Sequence, residues 1–516
     1  MSGTADARTL VIMLDGCDPE VLEAAMNDGR LPHLAALRAD GCAGAVGGLP
    51  GLGANALMPS LYTGVKPDRH GRYYHRQSQA GAYAATEDHA TDVAVPAFYD
   101  LLAREGRRVL LVNPPKAPAP VPADSLRAVL GWNMHLSAPA REFATCPPAL
   151  EDELLQRLGA ATPCPCLTHR HEPSASLAVP GVLASLRERI SRQRQAAAWQ
   201  LAEADWEIAV VGLDAGHCAG HLLWHCHDPG HPDHPGPGAP DPLQAVCEEL
   251  DRAIGELSAA LTARDRVAVF AGPGMGPGYV HPDFLERLLR AREAGAGRSR
   301  SSARQLLKRG WRRLPAAWRR ALSAPGKRLD ARLQRDSYQR RDCFPVVLND
   351  NVGGIRINRE GRERHGRVPA AACEPLARDL CRLLESLRCV DSGEPVVRRA
   401  LVTADHYGPA AGATLPDVLV EWNEAGPVTA VSGEGIRNFR QDTPPQWTGA
   451  HNDRMWLLLA GPGIGPGRLP ARAGILDVAG TLSALAGGPP AIGDGYALLS
   501  PARTGQPARQ DSSSGS

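Results

Sequence analysis

The sequence predicts a mixed α/β fold in which a mostly parallel central sheet carries helices on both faces. Short apolar runs rich in β-branched residues recur along the chain, at residues 9–14, 108–112, 207–211, 266–270 and 456–460. Between them lie segments in which apolar residues recur at spacings of three and four, for example 19–28 and 243–262. Strands that alternate with amphipathic helices favour a parallel sheet buried on both faces.

The overall composition limits the classes of protein to which this chain can belong. Its 516 residues, 43% of them hydrophobic, suffice for several domains or for one large domain with an insertion. A formal net charge of +1 gives no general attraction to nucleic acid. No signal peptide or run of 18 apolar residues is recognisable, so we expect a soluble cytoplasmic protein without a transmembrane segment. Abundant Ala, Arg, Gly and Pro, with few Lys, indicate a bacterial gene.

The cysteines indicate reduced thiols. The chain has 12 of them, scattered singly apart from Cys164-Pro165-Cys166. Because no paired C-x-x-C arrangement occurs, the pattern predicts neither a disulfide framework nor a zinc ribbon.

The composition changes near residue 290, which predicts an inserted region. Residues 298–341 are dense in arginine, and apolar residues recur at helical spacing around Pro315, namely Leu307, Trp311, Leu314, Trp318 and Leu322. A basic amphipathic helix can lie on a membrane surface, but we favour a cap that packs on its own protein. We therefore predict four regions: a first core part at 1–290, a basic helical insertion or cap at 291–395, a second core part at 396–502 and a disordered tail at 503–516.

Two segments carry candidate metal ligands. One is the end of the first predicted strand, and the other is the predicted helix after the strand at 207–211. The run at 9–14 ends at Asp15, which is how a parallel strand delivers a carboxylate to the carboxyl edge of a sheet. Further on, His217, His221 and His225 follow one another at steps of four, so a helix would place them on one face. The region is rich in histidine, and we interpret several of these residues as loop residues, namely His225, His227, His231 and His234.

Residues 53–71, GANALMPSLYTGVKPDRHG, hold the most specific pattern. This segment resembles the nucleophile segment of the alkaline phosphatase superfamily, in the type I phosphodiesterase and nucleotide pyrophosphatase branch, where it reads roughly T-x-P-x-x-x-S-x-x-T-G-x-x-P-x-x-H-G. The residues in register are Ser60, Thr63, Gly64, Pro67, His70 and Gly71. The attacking position is Ala54, which lacks the hydroxyl, thiol, amine or carboxylate that a covalent intermediate requires.

Further segments resemble the same branch in the same order. They are the LDG at 14–16, then 29–41, 274–277, 353–366, 416–417 and 448–467. One such match could arise by chance, but the ordered set is specific. The resemblance implies an alkaline phosphatase-like core with an inserted cap.

The resemblance also implies where metal ions bind. The branch holds two zinc-like ions, and one of the two sites uses the first Asp, the nucleophile and a consecutive Asp-His pair. Here Asp15 is retained, but Ala54 replaces the nucleophile and Gly272-Pro273 replaces the Asp-His pair. That site keeps one ligand of four, so we expect it to hold no metal. We interpret Asp405-His406, which comes much later in the chain, as a surface turn.

The other metal site keeps its ligands in altered form. By the resemblance, His217 occupies the place of an Asp, while His221 and His451 occupy those of the two histidines. Three imidazoles with an open fourth position are typical of a catalytic zinc site. Asp214 is either a fourth metal ligand or an acceptor of a hydrogen bond from one of the ligands. We therefore expect about one ion per chain, zinc or another divalent transition metal.

The expected chemistry follows from a single ion. Such an ion can lower the pKa of water and polarise a phosphoryl or sulfuryl oxygen, which suits direct attack. Asp15 would be the general base or hold the water, and Asn55 would donate to the developing anion. Arg356 and Arg341 are candidates for an anion clamp, with a structural ion pair as an equal alternative.

Two classes of function remain open at this point. The first is a metal-dependent hydrolase or group transferase that acts on a small phosphoester, phosphodiester or sulfoester. The second is a catalytically silent family member that binds a ligand or partner and serves as a scaffold. Retention of three well-placed histidines favours the first, and loss of the nucleophile favours the second. We favour the enzyme.

Overall fold

A large sheet forms the centre of the molecule. The computed structural model describes residues 7–499 except 75, 79–80, 82, 84, 88–92, 94, 136–142, 170–171, 296–333, 347–350 and 442–446. In chain order the strands are β1 (Thr9–Leu14), β2 (Cys42–Val46), β3 (Arg76–Ser78), β4 (Ala85–Glu87), β5 (Val109–Val112), β6 (Leu126–Leu130), β7 (Ala144–Cys146), β8 (Ile208–Leu213), β9 (Arg266–Ala271), β10 (Met275–Pro277), β11 (Cys343–Val346), β12 (Val352–Ile357), β13 (Arg388–Cys389), β14 (Val397–Val402), β15 (Val418–Trp422), β16 (Ala430–Gly433), β17 (Ile436–Arg440), β18 (Gly449–His451), β19 (Met455–Ala460), β20 (Gly467–Arg468), β21 (Ala491–Ile492) and β22 (Gly495–Tyr496).

The described residues also form helices. They are α1 (Pro19–Asn27), α2 (Pro32–Asp40), α3 (Ala54–Thr63), α4 (Pro67–His70), α5 (Phe98–Arg104), α6 (Leu150–Leu158), α7 (Pro165–Thr168), α8 (Val179–Glu203), α9 (Ala215–His227), α10 (Pro242–Ser258), α11 (Phe284–Gly295), α12 (Ala370–Glu385), α13 (Thr403–Tyr407) and α14 (Ile475–Leu485). Short 3-10 turns lie at Ser174–Ser176 and Pro409–Ala413. In the described part of the chain, no helix has the length and apolar character needed to cross a membrane.

The central sheet confirms the predicted fold class. Its strand order is β20-β2-β19-β9-β1-β8-β5-β6-β7, nine strands in the described residues. Strand β1 lies between β8 and β9 and runs parallel to both, while β19 and β7 run antiparallel to their neighbours. The five apolar runs recognised in the sequence correspond to β1, β5, β8, β9 and β19, all within this sheet.

Strand β1 shows why helices cover both faces. Successive side chains of a strand point to opposite faces. Val11 and Met13 pack into a core with residues of α3, α5 and α14, whereas Leu10 and Ile12 pack into a second core with residues of α1, α2, α8, α9 and α10. Every residue of β1 is at most 1% exposed. A strand buried on both sides requires a layer of helices on each.

The carboxyl ends of the parallel strands bring polar residues to one edge. Asp15 follows β1, Asp214 follows β8, and the loop after β5 carries Lys116. Gly16 has a φ of +72°, and a Cβ atom there would lie 2.4 Å from the Cα of His217. The loop after β1 therefore approaches the first turn of α9 more closely than a side chain would allow.

A smaller antiparallel unit lies beside the central sheet. Its strands have the order β11-β12-β15-β14, and α11 and α12 pack against them. Strand β15 pairs with both β12 and β14, so the predicted division between 395 and 396 falls inside this sheet. The predicted basic helix at 307–322 lies outside the described residues, as does the tail from 503.

Candidate metal centre

Three buried histidines converge at the first turns of α9. His217 and His221 lie one turn apart on this helix, and β18 brings His451 against them. The Nδ1 atom of His217 lies 3.0 Å from Nε2 of His451. One ring nitrogen from each of the three residues lies within 4.8 Å of the other two, and each residue is at most 4% exposed. The structure thus brings together three of the residues predicted from the sequence as metal ligands.

Local backbone packing positions His451. It is paired with Met275 in the short antiparallel ladder of β10 and β18. Gly449, at the start of β18, lies so close to α9 that a Cβ atom would sit 2.2 Å from the Gly220 carbonyl oxygen. Glycine is needed for this close approach.

Hydrogen bonds to carbonyl groups fix two of the rings. Nδ1 of His221 lies 2.9 Å from the Gly449 oxygen, and Nδ1 of His451 lies 3.2 Å from the Gly274 oxygen. A carbonyl only accepts, so each Nδ1 carries the proton and each Nε2 keeps a lone pair. Burial holds the pKa of all three rings well below the usual histidine range. Neutral imidazoles with carbonyl partners are the form in which histidine binds a transition metal.

Lys116, which the sequence did not indicate as a site residue, forms an ion pair with Asp15. Nζ of Lys116 is 3.0 Å from both carboxylate oxygens of Asp15, and Oδ2 of Asp15 is 3.4 Å from Nδ1 of His217. Burial raises the pKa of Asp15, but the Lys116 ammonium and the His217 ring outweigh this and hold it well below the usual range. A carboxylate so strongly held is a weak general base at neutral pH, so these contacts favour an electrostatic and positioning role.

The segment around the missing nucleophile is well packed. Ala54 begins α3 and is fully buried, while Asn55 is half-buried and its side chain has no hydrogen-bond partner among the described residues. Ser60 Oγ lies 2.9 Å from Nε2 of His70, whose pKa burial lowers to about 3. Ser60 and His70, two of the motif residues in register, therefore stabilise this segment by contacting each other.

Asp214 lies outside the group of three histidines. Its carboxylate accepts hydrogen bonds from Arg189 at 3.2 Å and from Gln193 at 2.7 Å, and also from the backbone N–H of His135. Both Asp214 and Arg189 are fully buried. Two roles were expected for Asp214, a fourth metal ligand or a hydrogen-bond acceptor next to the ligands. These contacts favour the hydrogen-bond acceptor.

The structure corrects the expectation of an arginine clamp. Arg356 is fully buried, donates to Glu363 at 2.7 Å, and uses its other two nitrogens on the carbonyl oxygens of Leu415 and Ala413. Arg341 is paired with Glu293 and Glu286 at 2.6 and 2.8 Å. Both guanidinium groups are buried in ion pairs with carboxylates, so neither is positioned as an anion clamp.

The other histidines are mostly structural. The interpretation of His225 and His227 as loop residues was wrong, because both lie in α9. His225 Nδ1 lies 3.2 Å from Thr448 Oγ1, and His227 pairs with Asp241. His231 and His234 lie in the loop after this helix. Asp405 and His406 are exposed in the short helix α13.

A family comparison agrees with this arrangement. The profile of the type I phosphodiesterase / nucleotide pyrophosphatase family matches residues 9–453. The chain belongs to this family. No curated protein sequence matches the chain. The family comprises phosphoester and phosphodiester hydrolases and is metal-dependent, typically with zinc.

Solved structures of a phosphonoacetate hydrolase support the fold. Phosphonoacetate hydrolase from Sinorhizobium meliloti 1021, in complex with phosphonoacetate, shares 15% sequence identity at a TM-score of 0.51, covering 92% of this chain and 94% of that one. The same enzyme with phosphonoformate gives a TM-score of 0.50 at the same identity and coverage. Human ectonucleotide pyrophosphatase / phosphodiesterase 5 shares 10% identity over 95% of this chain and 97% of its own, with a TM-score of 0.47.

Proposed function

We propose that this protein is a hydrolase or group transferase for small phosphoesters, phosphodiesters or related sulfoesters, with a single catalytic metal ion. The observation that supports this most directly is the group formed by His217, His221 and His451. These rings are buried, neutral and close together, and carbonyl groups orient two of them for metal binding. A cytoplasmic location is part of the proposal.

Lys116 supports the proposal of one ion rather than two. In this family, by the resemblance, a second ion would use Asp15, but both oxygens of Asp15 accept from the Lys116 ammonium. A second dication would have to displace this ammonium and would then find Gly272 and Pro273 in place of side-chain ligands. We infer that Lys116 supplies a fixed positive charge where the second ion would otherwise lie.

Each residue of the site has a separate role in the proposed reaction. When bound to the three histidines, zinc would lower the pKa of water and polarise a phosphoryl or sulfuryl oxygen. Lys116 would attract a negatively charged substrate, and Asp15 would hold Lys116 and the His217 ring in place. Asn55 would donate to the developing anion. Because Ala54 has no nucleophilic group, attack would proceed without a covalent intermediate at that position.

We predict metal-dependent turnover in the wild-type protein. Chelation should abolish hydrolysis of activated phosphate mono- and diesters, a sulfate ester or a phosphonate, and zinc should restore it. Phosphonates join the panel because a structural neighbour is a phosphonoacetate hydrolase. Absence of metal-dependent turnover on every substrate would instead favour the scaffold alternative. The measurement is the initial rate before chelation, after chelation and after zinc is returned.

We also predict that Lys116→Met lowers kcat/KM by roughly 100-fold, as expected for loss of one preorganised group that stabilises charge. The change leaves Asp15 as an uncompensated carboxylate beside the metal site. Lys116→Arg should restore part of the activity, whereas Lys66→Met, which removes a lysine outside the site, should behave as wild type. If Lys116→Met keeps the wild-type kcat/KM and normal zinc content, Lys116 has no role in catalysis.

A further inference from the structure

A second group of metal-binding side chains lies next to the histidine site. It consists of His135, Cys164, Cys166 and Cys218, which we name the thiol cluster. Cys164 and Cys166 belong to the C-P-C at the start of α7, Cys218 lies in the first turn of α9, and His135 lies after β6. All three cysteines are buried and His135 is partly buried. The proposed catalytic chemistry uses none of these residues.

The distances within the thiol cluster bracket those of a tetrahedral zinc site. Sγ of Cys164 lies 3.1 Å from Nδ1 of His135 and 3.5 Å from Sγ of Cys218. Sγ of Cys218 lies 3.9 Å from the same nitrogen, and ligand atoms of His135, Cys166 and Cys218 lie within 4.8 Å of one another. Zinc–sulfur bonds of about 2.3 Å and zinc–nitrogen bonds of about 2.0 Å give ligand separations of about 3.5–3.8 Å in a tetrahedron.

The alternatives explain the thiol cluster less well. A disulfide between Cys164 and Cys218 would need their sulfur atoms at about 2.05 Å, well below the 3.5 Å observed. Simple packing of thiols as small apolar groups accounts for a buried cysteine, but not for two sulfur atoms within 3.9 Å of one imidazole nitrogen with a third cysteine close by.

The surroundings of the thiol cluster also favour an ion. The backbone N–H of His135 donates to Asp214, which fixes this histidine next to the cysteines. Arg189 is fully buried and donates to the same Asp214 carboxylate at 3.2 Å. This buried network holds His135 through its backbone and leaves its ring beside the cysteines.

We propose that Cys164, Cys166, Cys218 and His135 bind a structural zinc ion that is distinct from the catalytic ion. Three thiolates and one imidazole close the coordination sphere, which is the composition of a structural rather than a catalytic zinc site. The ion would tie the C-P-C segment to the first turn of α9. Cys218 follows His217 directly, and the His135 ring packs against the His217 ring with centroids 4.3 Å apart. The structural ion thereby holds the helix that carries two catalytic ligands.

Site-specific metal analysis tests this proposal. We expect wild-type protein to bind one zinc ion more than Cys166→Ser. The matched control is Cys247→Ser, which changes another buried cysteine, in α10, and should keep the wild-type zinc content. Replacement of the metal by cobalt should give the near-ultraviolet charge-transfer band of a cobalt–thiolate bond. This band should persist in His451→Ala and be lost in Cys166→Ser.

The cobalt measurement on wild-type protein keeps the proposal testable if Cys166→Ser fails to fold. A cobalt-loaded wild type without a thiolate band would overturn the proposal. Detection of a disulfide among these cysteines in protein purified without oxygen would also overturn it. Equal zinc contents in wild type and a folded Cys166→Ser would do the same.

Discussion

His451→Ala is expected to abolish turnover and to remove the catalytic ion while leaving the fold intact. Loss of a group that hydrogen-bonds to a metal ligand costs about 10–100-fold in metal affinity or activity. Loss of a ligand itself should therefore cost roughly 1,000-fold or more. The central sheet has its own cores on both faces, which should keep the variant folded. The measurement is kcat/KM together with zinc content by elemental analysis.

The matched control for this prediction is His406→Ala. His406 is an exposed histidine in α13, so its loss should change neither rate nor metal content. Wild-type turnover in a folded His451→Ala would contradict a catalytic role for the histidine site. The thiol cluster should keep its own ion in this variant, so total zinc should fall by one ion rather than to zero.

Arg356→Met is expected to destabilise the protein by about 3 kcal/mol, at the low end of the range for breaking a buried ion pair. The change removes the guanidinium that binds Glu363 and two carbonyl oxygens. Glu363 keeps a second partner, Arg362, at 2.9 Å, which limits the cost. Chemical denaturation measures the change in the free energy of unfolding.

Kinetics of the same variant separate structure from catalysis. The described hydrogen bonds of Arg356 go to Glu363, Leu415 and Ala413 and none goes to a metal ligand, so kcat and KM of the folded fraction should stay near wild type. An anion clamp would show the reverse pattern, with KM raised and stability unchanged. Arg367→Met, which removes an exposed arginine of the same unit, should leave the unfolding midpoint close to wild type.

The sequence predicted the parts of the site that depend on local periodicity. The run at 9–14 was sufficient to place Asp15 at the end of a buried strand, and steps of four placed His217 and His221 on one side of a helix. His451 is 234 residues from its neighbour His217. Periodicity carries no information across that distance, so His451 was predicted through the family resemblance alone.

Other features depend on tertiary contacts that no local pattern shows. Lys116 reaches Asp15 from a turn in which Asn113 and Lys116 both have positive φ, and no local pattern predicts this turn. Its position just after the predicted strand at 108–112, at the same sheet edge as Asp15, was the available signal. Arg356 looked like an anion ligand because nothing in the sequence shows that its side chain is buried. The thiol cluster escaped notice because its ligands come from three separate segments, whereas the familiar zinc motifs place cysteines in pairs.

The close contacts at Gly16 and Gly449 are made by backbone atoms, and these atoms form the frame of the metal centre. The geometry of this frame therefore does not depend on the ligand side chains. Backbone atoms set the distance between the loop after β1, helix α9 and strand β18. The ligand side chains at 217 and 451 extend from a frame whose spacing does not depend on them. An aspartate could therefore give way to a histidine at 217 during evolution without a change in the fold. The same independence makes His217→Asp a natural starting point for redesigning the metal preference of this centre.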